Sequence, residues 1–413
     1  MLRRQSCMAS LRFEARGFCA SFPLMPDTLT PSSPLTLLQP LLPELAARAA
    51  EMEAARRLPA DLAYKLAAAG VFRMVTPRAF GGLELSPREI VEVTEAAAAA
   101  NASAGWCVMI AATTALNAAY MDPEFARAIY GDPMTITGGV FAPMGKAVVE
   151  GDQYRVSGRW QWGSGSANCT WLCGGCTVWE NGEMKRLPSG APDTRMMIFP
   201  ASEAVLHDTW HVMGLKGTGS GDIEVKDILV PRGRSVSLVA DTPHETGALF
   251  KFPAFGLLAL GVSAVALGNA RGALDAFHDL ATVKKSQGSS KTLSERQTMQ
   301  AEYARCEAQW RAARAYLFAE IDRVWTIAQG EGAIPMEARA DLRLACTHMT
   351  RTGADICRTL YDLGGGAALF EASDLQRRFR DAHAITQHIV TAPSTLELTG
   401  RILFGLPTDG GMV

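Results

Sequence analysis

At 413 residues with 48% apolar side chains, the chain is long enough for two or three domains and a large core, and too apolar to be disordered. A net charge of −2 without a long basic run argues against nucleic acid as a partner. Nine cysteines lack the spacing of a secreted disulfide scaffold, which suits reduced thiols and a cytoplasmic setting.

The opening stretch "MLRRQSCMASLRFEARGFCASFPLMPDTLTPSSP" has arginines, no lysine and no sustained apolar centre, so it makes a poor signal peptide. Residues 1–35 read as a disordered tail, with Met25 as an alternative start. An N-terminal helical domain is expected over 36–133. Pro59 opens "LPADLAYKLAAAG" and Gly70 suits its C-terminal cap. Ser86, Pro87 and Glu89 spell a capping box, and "GWCVMIAATTALNAAYM" is a further, mostly buried helix. Over 134–240, short β-branched and aromatic runs separated by turn residues predict a small antiparallel β domain. Four periodic blocks follow, near 254–286, 293–329, 335–362 and 373–390, and imply a four-helix bundle over 245–405. Within the first, "FPAFGLLALGVSAVALGNA" is uncharged and just long enough for a bilayer. Its alanines and glycines suit tight packing inside a bundle, so no membrane span is expected.

Several residue groups could carry chemistry. His383 and His388 stand five apart, about 140° around a helix, which is the wrong geometry for a metal pair. On a continuous helix His388 shares a stripe with Arg377, Asp381 and Ala384, pointing into the bundle as a packed core histidine or into a cleft. His207 and His211 are four apart but sit beside a strand, and no metal site is expected. The Cys173-x-x-Cys176 pair lacks a redox-type βαβ context and reads as buried strand cysteines. "GLKGTGSGD" and "WQWGSGSAN" are neither phosphate loops nor dinucleotide fingerprints. They are tight β turns or places where backbone meets a flat ligand.

The domain order and three motifs, "YRVSGRWQWGSGS", "GLKGTGSGDIEVKDILVP" and "YDLGGGAALFEASDLQRRFRDA", together resemble the acyl-CoA dehydrogenase fold over nearly all of 36–405. The resemblance implies an α+β architecture with helical, β and four-helix domains in that order. Where such dehydrogenases commonly carry a catalytic glutamate, this chain reads "QHIVTAPST", with no acid, and their "RRQFG" is replaced by "KKSQG". "FRDAHAITQHIV", "DTWHVMGLKGTGS" and "GGVFAPMGKA" instead resemble the oxygenase branch of the fold, the two-component flavin hydroxylases. That branch includes hydroxylases of p-hydroxyphenylacetate and of a steroid-derived phenol. The resemblance implies reduced FMN or FAD supplied by a partner reductase, no metal, O2 as co-substrate, and oxygenation of a small aromatic or polycyclic substrate through a C4a-hydroperoxyflavin.

Carried over residue by residue, the resemblance implies that His388, and after it His383, faces the flavin pocket. Ser164 would bond the flavin N5 region, and Trp162 would wall the ring. Ala142 and Pro143 would offer backbone to the isoalloxazine, and Thr218, Gly219 and Ser220 would border flavin and substrate. Lys284 would reach a flavin phosphate across a subunit interface, near the Gly364–Gly365 turn, in a homotetramer. The rival readings are an acyl-CoA dehydrogenase with its base elsewhere and a helical scaffold that has lost flavin.

Overall fold

The computed structural model describes residues 33–285 and 288–411, and the expected tail over 1–35 falls almost wholly outside them. The helical region starts at Pro34, with α1 (Pro34–Leu38), α2 (Leu42–Ala47), α3 (Ala49–Ala55), α4 (Ala60–Ala68), α5 (Pro87–Ala100), α6 (Ala102–Thr114) and α7 (Pro123–Tyr130). The capping box forms: Ser86 Oγ accepts from Glu89 N at 3.4 Å and the Glu89 carboxylate accepts from Ser86 N at 2.9 Å. Asn101 starts α6 by accepting from Ala104 N at 3.1 Å. Small residues let α6 bury nearly its whole circumference, Trp106 included.

Eight strands follow: β1 (Thr137–Glu150), β2 (Gln153–Trp160), β3 (Trp171–Glu180), β4 (Glu183–Met184), β5 (Thr194–Pro200), β6 (Val205–His207), β7 (Asp222–Pro231) and β8 (Ser235–Val236). They form one sheet in the order β6-β7-β2-β1-β3-β5-β8, with β4 on β3. The sheet is mixed, which corrects the antiparallel expectation: β3 runs parallel to β1. The β1–β2 hairpin turns at Gly151. The Gln161–Thr170 connection then carries the chain across to β1's other side. Turn chemistry announces a hairpin but not which edge the next strand joins. That crossing loop holds Ser164.

After α8 (Ala248–Lys251) come α9 (Ala254–Val283), α10 (Gln297–Gln329), α11 (Met336–Gly364), α12 (Asp374–Ile385) and α13 (Ser394–Leu403). The fourth expected block, 373–390, therefore holds one shorter helix, α12, and α13 lies beyond it. α12 stops at Ile385, where the Thr386 hydroxyl bonds back to the His383 carbonyl at 2.8 Å. A 3₁₀ turn over Ile389–Thr391 precedes α13. His388 is thus off the helix, in extended backbone, and the stripe through Arg377, Asp381 and Ala384 does not reach it. The helix α9 is the central element, packed against α5, α6, α11 and α12. Its most apolar window is 89% buried within the protein, which accounts for its uncharged sequence.

The basic start of α12 is a clasp. Buried Arg378 donates to the Ala98 and Ala100 carbonyls at 2.9 and 3.1 Å, capping the C-terminus of α5. Arg380 donates to Glu53 at 2.8 Å and to the Met213 carbonyl. Asp381 accepts from Leu215 N at 2.6 Å.

Candidate active site

Four elements meet around Ser164. The first is the loop after β2, where Trp160 is fully buried and gives its indole N–H to the Gly175 carbonyl at 2.7 Å. Two residues on, Trp162 sits at φ +68° with its side chain 59% exposed. A bulky aromatic in the left-handed region costs on the order of 1–3 kcal/mol. Ser164 follows, buried, beside a cavity of about 10 Å³, room for about one water, bounded by Cys107, Ile110, Thr137, Gly165 and Cys169.

The second element is the "GLKGTGS" loop. Three helices press on its backbone, which explains the glycines. A Cβ on Gly214 would collide with the Arg380 carbonyl, one on Gly217 would come within 3.0 Å of Ser103, and one on Gly219 within 2.8 Å of Arg56. Leu215 is held at φ +53° by its bond to Asp381. Thr218 and Ser220 are buried here and reach Ser164 in series: Thr218 to Ser220 at 2.7 Å, Ser220 to Ser164 at 2.7 Å. Gly219 spends its open side on the carbonyl of Arg56, the cap residue just after α3.

The third element is α6, whose Trp106 donates its indole N–H to Ser164 Oγ at 3.0 Å. Sequence reading passed over Trp106. Its one signal was a lone indole in a run of small apolar residues, since a buried Trp N–H needs a partner. The fourth is the turn after α12. The His388 ring packs edge-on to Trp106 with centroids 5.6 Å apart, and its Nδ1 accepts from Val390 N at 3.4 Å. Burial first, and then the Arg343 guanidinium, push His388 down to about 4, so the imidazole is neutral at physiological pH. Arg343 is itself buried, donates to the Phe255 carbonyl at 2.9 Å, and has an Nε with no partner among the described residues. Burial pushes the Asp381 carboxyl up to about 6.

His383 goes elsewhere. Its ring packs on Phe379, which stacks on Tyr361, and its Nε2 is buried without a partner. Ala142 and Pro143 lie where β1 shifts register between Val140 and Gly145, with the Ala142 carbonyl against Gly175. Phe141 in the same bulge packs edge-on to Phe255. Lys284 and the Gly364–Gly365 turn form a separate group: Lys284 Nζ donates to the Gly364 carbonyl at 2.6 Å. They sit at the C-terminal end of α9, whereas Phe255, which Arg343 links to His388, sits at its N-terminal end. At a rise of about 1.5 Å per residue the helix separates the two by roughly 40 Å. His207 pairs with Glu224 at 2.7 Å, and no group of three metal-ligating side chains occurs among the described residues. Cys173 and Cys176 are buried free thiols on β3, pushed up to about 12 by burial.

A flat isoalloxazine fits these residues. Trp162, two residues before Ser164, and Phe141 and Met144 in the β1 bulge expose apolar surface, and Ser164 Oγ is bonded to Trp106 and Ser220. The relatives point the same way. Residues 41–123 match the family model "Acyl-CoA dehydrogenase, N-terminal domain" and residues 260–393 the model "Acyl-CoA dehydrogenase, C-terminal domain". The chain is 32% identical to indole-3-acetate monooxygenase of Pseudomonas putida, over 87% of this chain and 90% of that protein. It is 31% identical to the flavin-dependent monooxygenase oxygenase subunit HsaA of Mycobacterium tuberculosis, over 92% and 98%. The crystal structure of 3-HSA hydroxylase from Rhodococcus sp. RHA1 superposes with a TM-score of 0.85 at 26% identity, covering 93% of this chain and all of that one. Fold and site together define an acyl-CoA dehydrogenase-like flavoprotein. The chain belongs to the flavin-dependent monooxygenases built on that fold, and is an oxidoreductase.

Proposed function

We propose that this chain is the oxygenase component of a two-component system. It takes reduced FMN or FAD from a separate flavin reductase and places one oxygen atom of O2 on a small aromatic or polycyclic substrate in the cytoplasm, without a metal. The observation that carries this reading is neutral His388 packed on Trp106, which holds Ser164, with no carboxylate in the "QHIVTAPST" stretch where a dehydrogenase commonly keeps one. Reduced flavin supplies the electrons that activate O2. The chain's residues orient the ring, keep water out and hydrogen-bond the substrate. His388 Nδ1 accepts from Val390 N, so the neutral ring carries its hydrogen on Nε2, the nitrogen left to donate a hydrogen bond to substrate. The names of the relatives, a monooxygenase of an indole acid and an oxygenase subunit, support an aromatic substrate and a partner reductase.

Assayed side by side, the protein with a flavin reductase, NADH and O2 is expected to yield hydroxylated product from indoles or phenols, and to leave acyl-CoA thioesters untouched with an artificial electron acceptor. Brisk thioester oxidation without hydroxylation would reinstate the dehydrogenase. If neither activity nor flavin binding is found, the scaffold reading stands.

The surroundings of Lys284 support an assembled protein. Val283, Leu369 and Phe370 around it are 75%, 69% and 70% exposed, an apolar patch that another subunit would cover. A phosphate on Lys284 then belongs to a flavin whose ring lies on another subunit. Light scattering is expected to give a homotetramer, and a flavin-binding monomer at micromolar concentration would rule this arrangement out.

A further inference from the structure

Arg343 is a buried cation without a counter-ion. It stands on α11, 3% exposed, and a guanidinium keeps its charge inside a protein. Nη1 donates to the Phe255 carbonyl at 2.9 Å, Nε has no partner, and no carboxylate pairs with it among the described residues. Besides burial, the group that acts on it is the Cys346 thiol one turn on. Burial pushes that thiol up to about 11, so it stays neutral and offers no compensation. A lone buried charge is expensive, and such charges cluster where a site uses them. This one lies behind the wall of the candidate site. Phe255, whose carbonyl it holds, packs edge-on to Phe141 of the β1 bulge. The turn Ile389–Thr391, directly after His388, packs on both α9 and α11. The Arg343 charge is felt at His388 there, and no other charge acts on that imidazole among the described residues. His388 itself is neutral with its hydrogen on Nε2, so it supplies a donor and no charge. Field and donor favour the same thing, an oxygen that bears negative charge.

We propose that Arg343 and His388 together make the pocket a receptor for an aromatic substrate that carries an anionic oxygen, a phenolate or a carboxylate. The proposal rests on the functional reading above and narrows its substrate class. The Nε2–H of His388 meets the oxygen. Arg343 is a positioning residue that supplies the charge from one layer behind, through Phe255 and His388. It needs no direct contact, because in a dry interior an opposite charge is felt across several ångströms. A carboxylate arrives already charged. A phenol is held as its phenolate, and its proton leaves to bulk water on binding. A neutral ring of the same shape gains nothing from Arg343, so the unpaired charge works as a specificity device.

The test is calorimetric titration of the full chain, alone and loaded with photoreduced FMN or FAD under nitrogen. The probes are benzoate, its neutral isostere benzamide, and 4-cyanophenol near neutral pH, where the free phenol is mostly protonated. Wild type is expected to bind benzoate about tenfold more tightly than benzamide, which corresponds to about one unit of pKa shift. Binding of 4-cyanophenol should release a large fraction of a proton, read from the difference between two buffers of unlike ionisation enthalpy. Arg343→Met keeps the bulk and drops the charge. It should lose the benzoate preference and the proton release while holding benzamide as wild type does, and Arg343→Lys should restore both. A packing role alone would weaken charged and neutral probes alike. Proton release without a benzoate preference supports the receptor as one for phenolates, and the reverse supports it as one for carboxylates. A wild type that shows neither overturns the proposal, as does an Arg343→Met protein that keeps both. The wild-type comparison decides the matter by itself should Arg343→Met fail to fold. If a neutral indole still gives hydroxylated product in the reductase assay while neither signature appears, only the receptor has failed. Failure to bind any probe, together with no product, removes the functional reading too.

Discussion

Replacing His388 with asparagine is expected to slow oxygen transfer to substrate by roughly 10²–10⁴-fold, the usual contribution of a positioned acid–base group. The ring lies against Trp106, the residue that holds Ser164, while burial and the Arg343 cation keep it neutral, with its hydrogen on Nε2. The measurement is single-turnover product formation from enzyme preloaded with reduced flavin. Reduction by the partner reductase should be unchanged. A folded, flavin-binding mutant within about threefold of wild type would make His388 a packing residue. Stability gives an independent readout. An unfolded histidine titrates near 6.5 and the folded one near 4, so as pH falls the unfolded chain takes up the proton first. Wild type keeps this contribution above pH 6.5 and loses it progressively between 6.5 and 4, by up to about 3 kcal/mol. His388→Asn lacks that loss, so its melting temperature should gain on wild type between pH 7.5 and 4.5. Asp381, pushed up to about 6, acts in the opposite sense, but equally in both proteins.

Arg378→Ala is expected to cost on the order of 3–5 kcal/mol, the largest stability loss of any substitution considered for this chain. The guanidinium is buried, lies on Gly272, and satisfies carbonyls that α5 leaves unpaired at its C-terminus. Asn269 Nδ2 in turn donates to the Arg378 carbonyl at 2.9 Å. Truncation strands buried carbonyls and opens a void between α5, α9 and α12. Arg378→Lys should recover only part, because an ammonium cannot cover several carbonyls with a planar fork. Urea denaturation reads both variants. A loss under about 1 kcal/mol would show that α12 docks without this residue. Flavin affinity should fall with stability, since α12 also carries Asp381, which pins the Leu215 end of the hydroxyl chain.

The sequence determined by itself whatever depends on near neighbours in the chain. Ser86, Pro87 and Glu89 start α5 where expected, Gly70 adopts φ +77° after α4, and the periodic blocks of the bundle appear within a few residues. The order of helical, β and helical regions is also local information, a change of hydrophobic period from 3.6 to 2 and back. Ser164 and the glycine loops were visible because turn residues and hydroxyls punctuate strands. Only the tertiary structure decided which edge of β1 receives β3, because pairing is set by distant partners. It moved His388 off α12 and onto Trp106, where a continuous helical stripe had been expected, and sent His383 to Phe379. It turned the glycines of "GLKGTGS" from an invitation to a ligand into packing surfaces for Arg380, Ser103 and Arg56. The bond from Trp106 to Ser164, and the run from Ser164 through Ser220 and Thr218 to the Leu215 carbonyl, join residues 109 positions apart in the chain and form only when folding buries them around the same three hydroxyls.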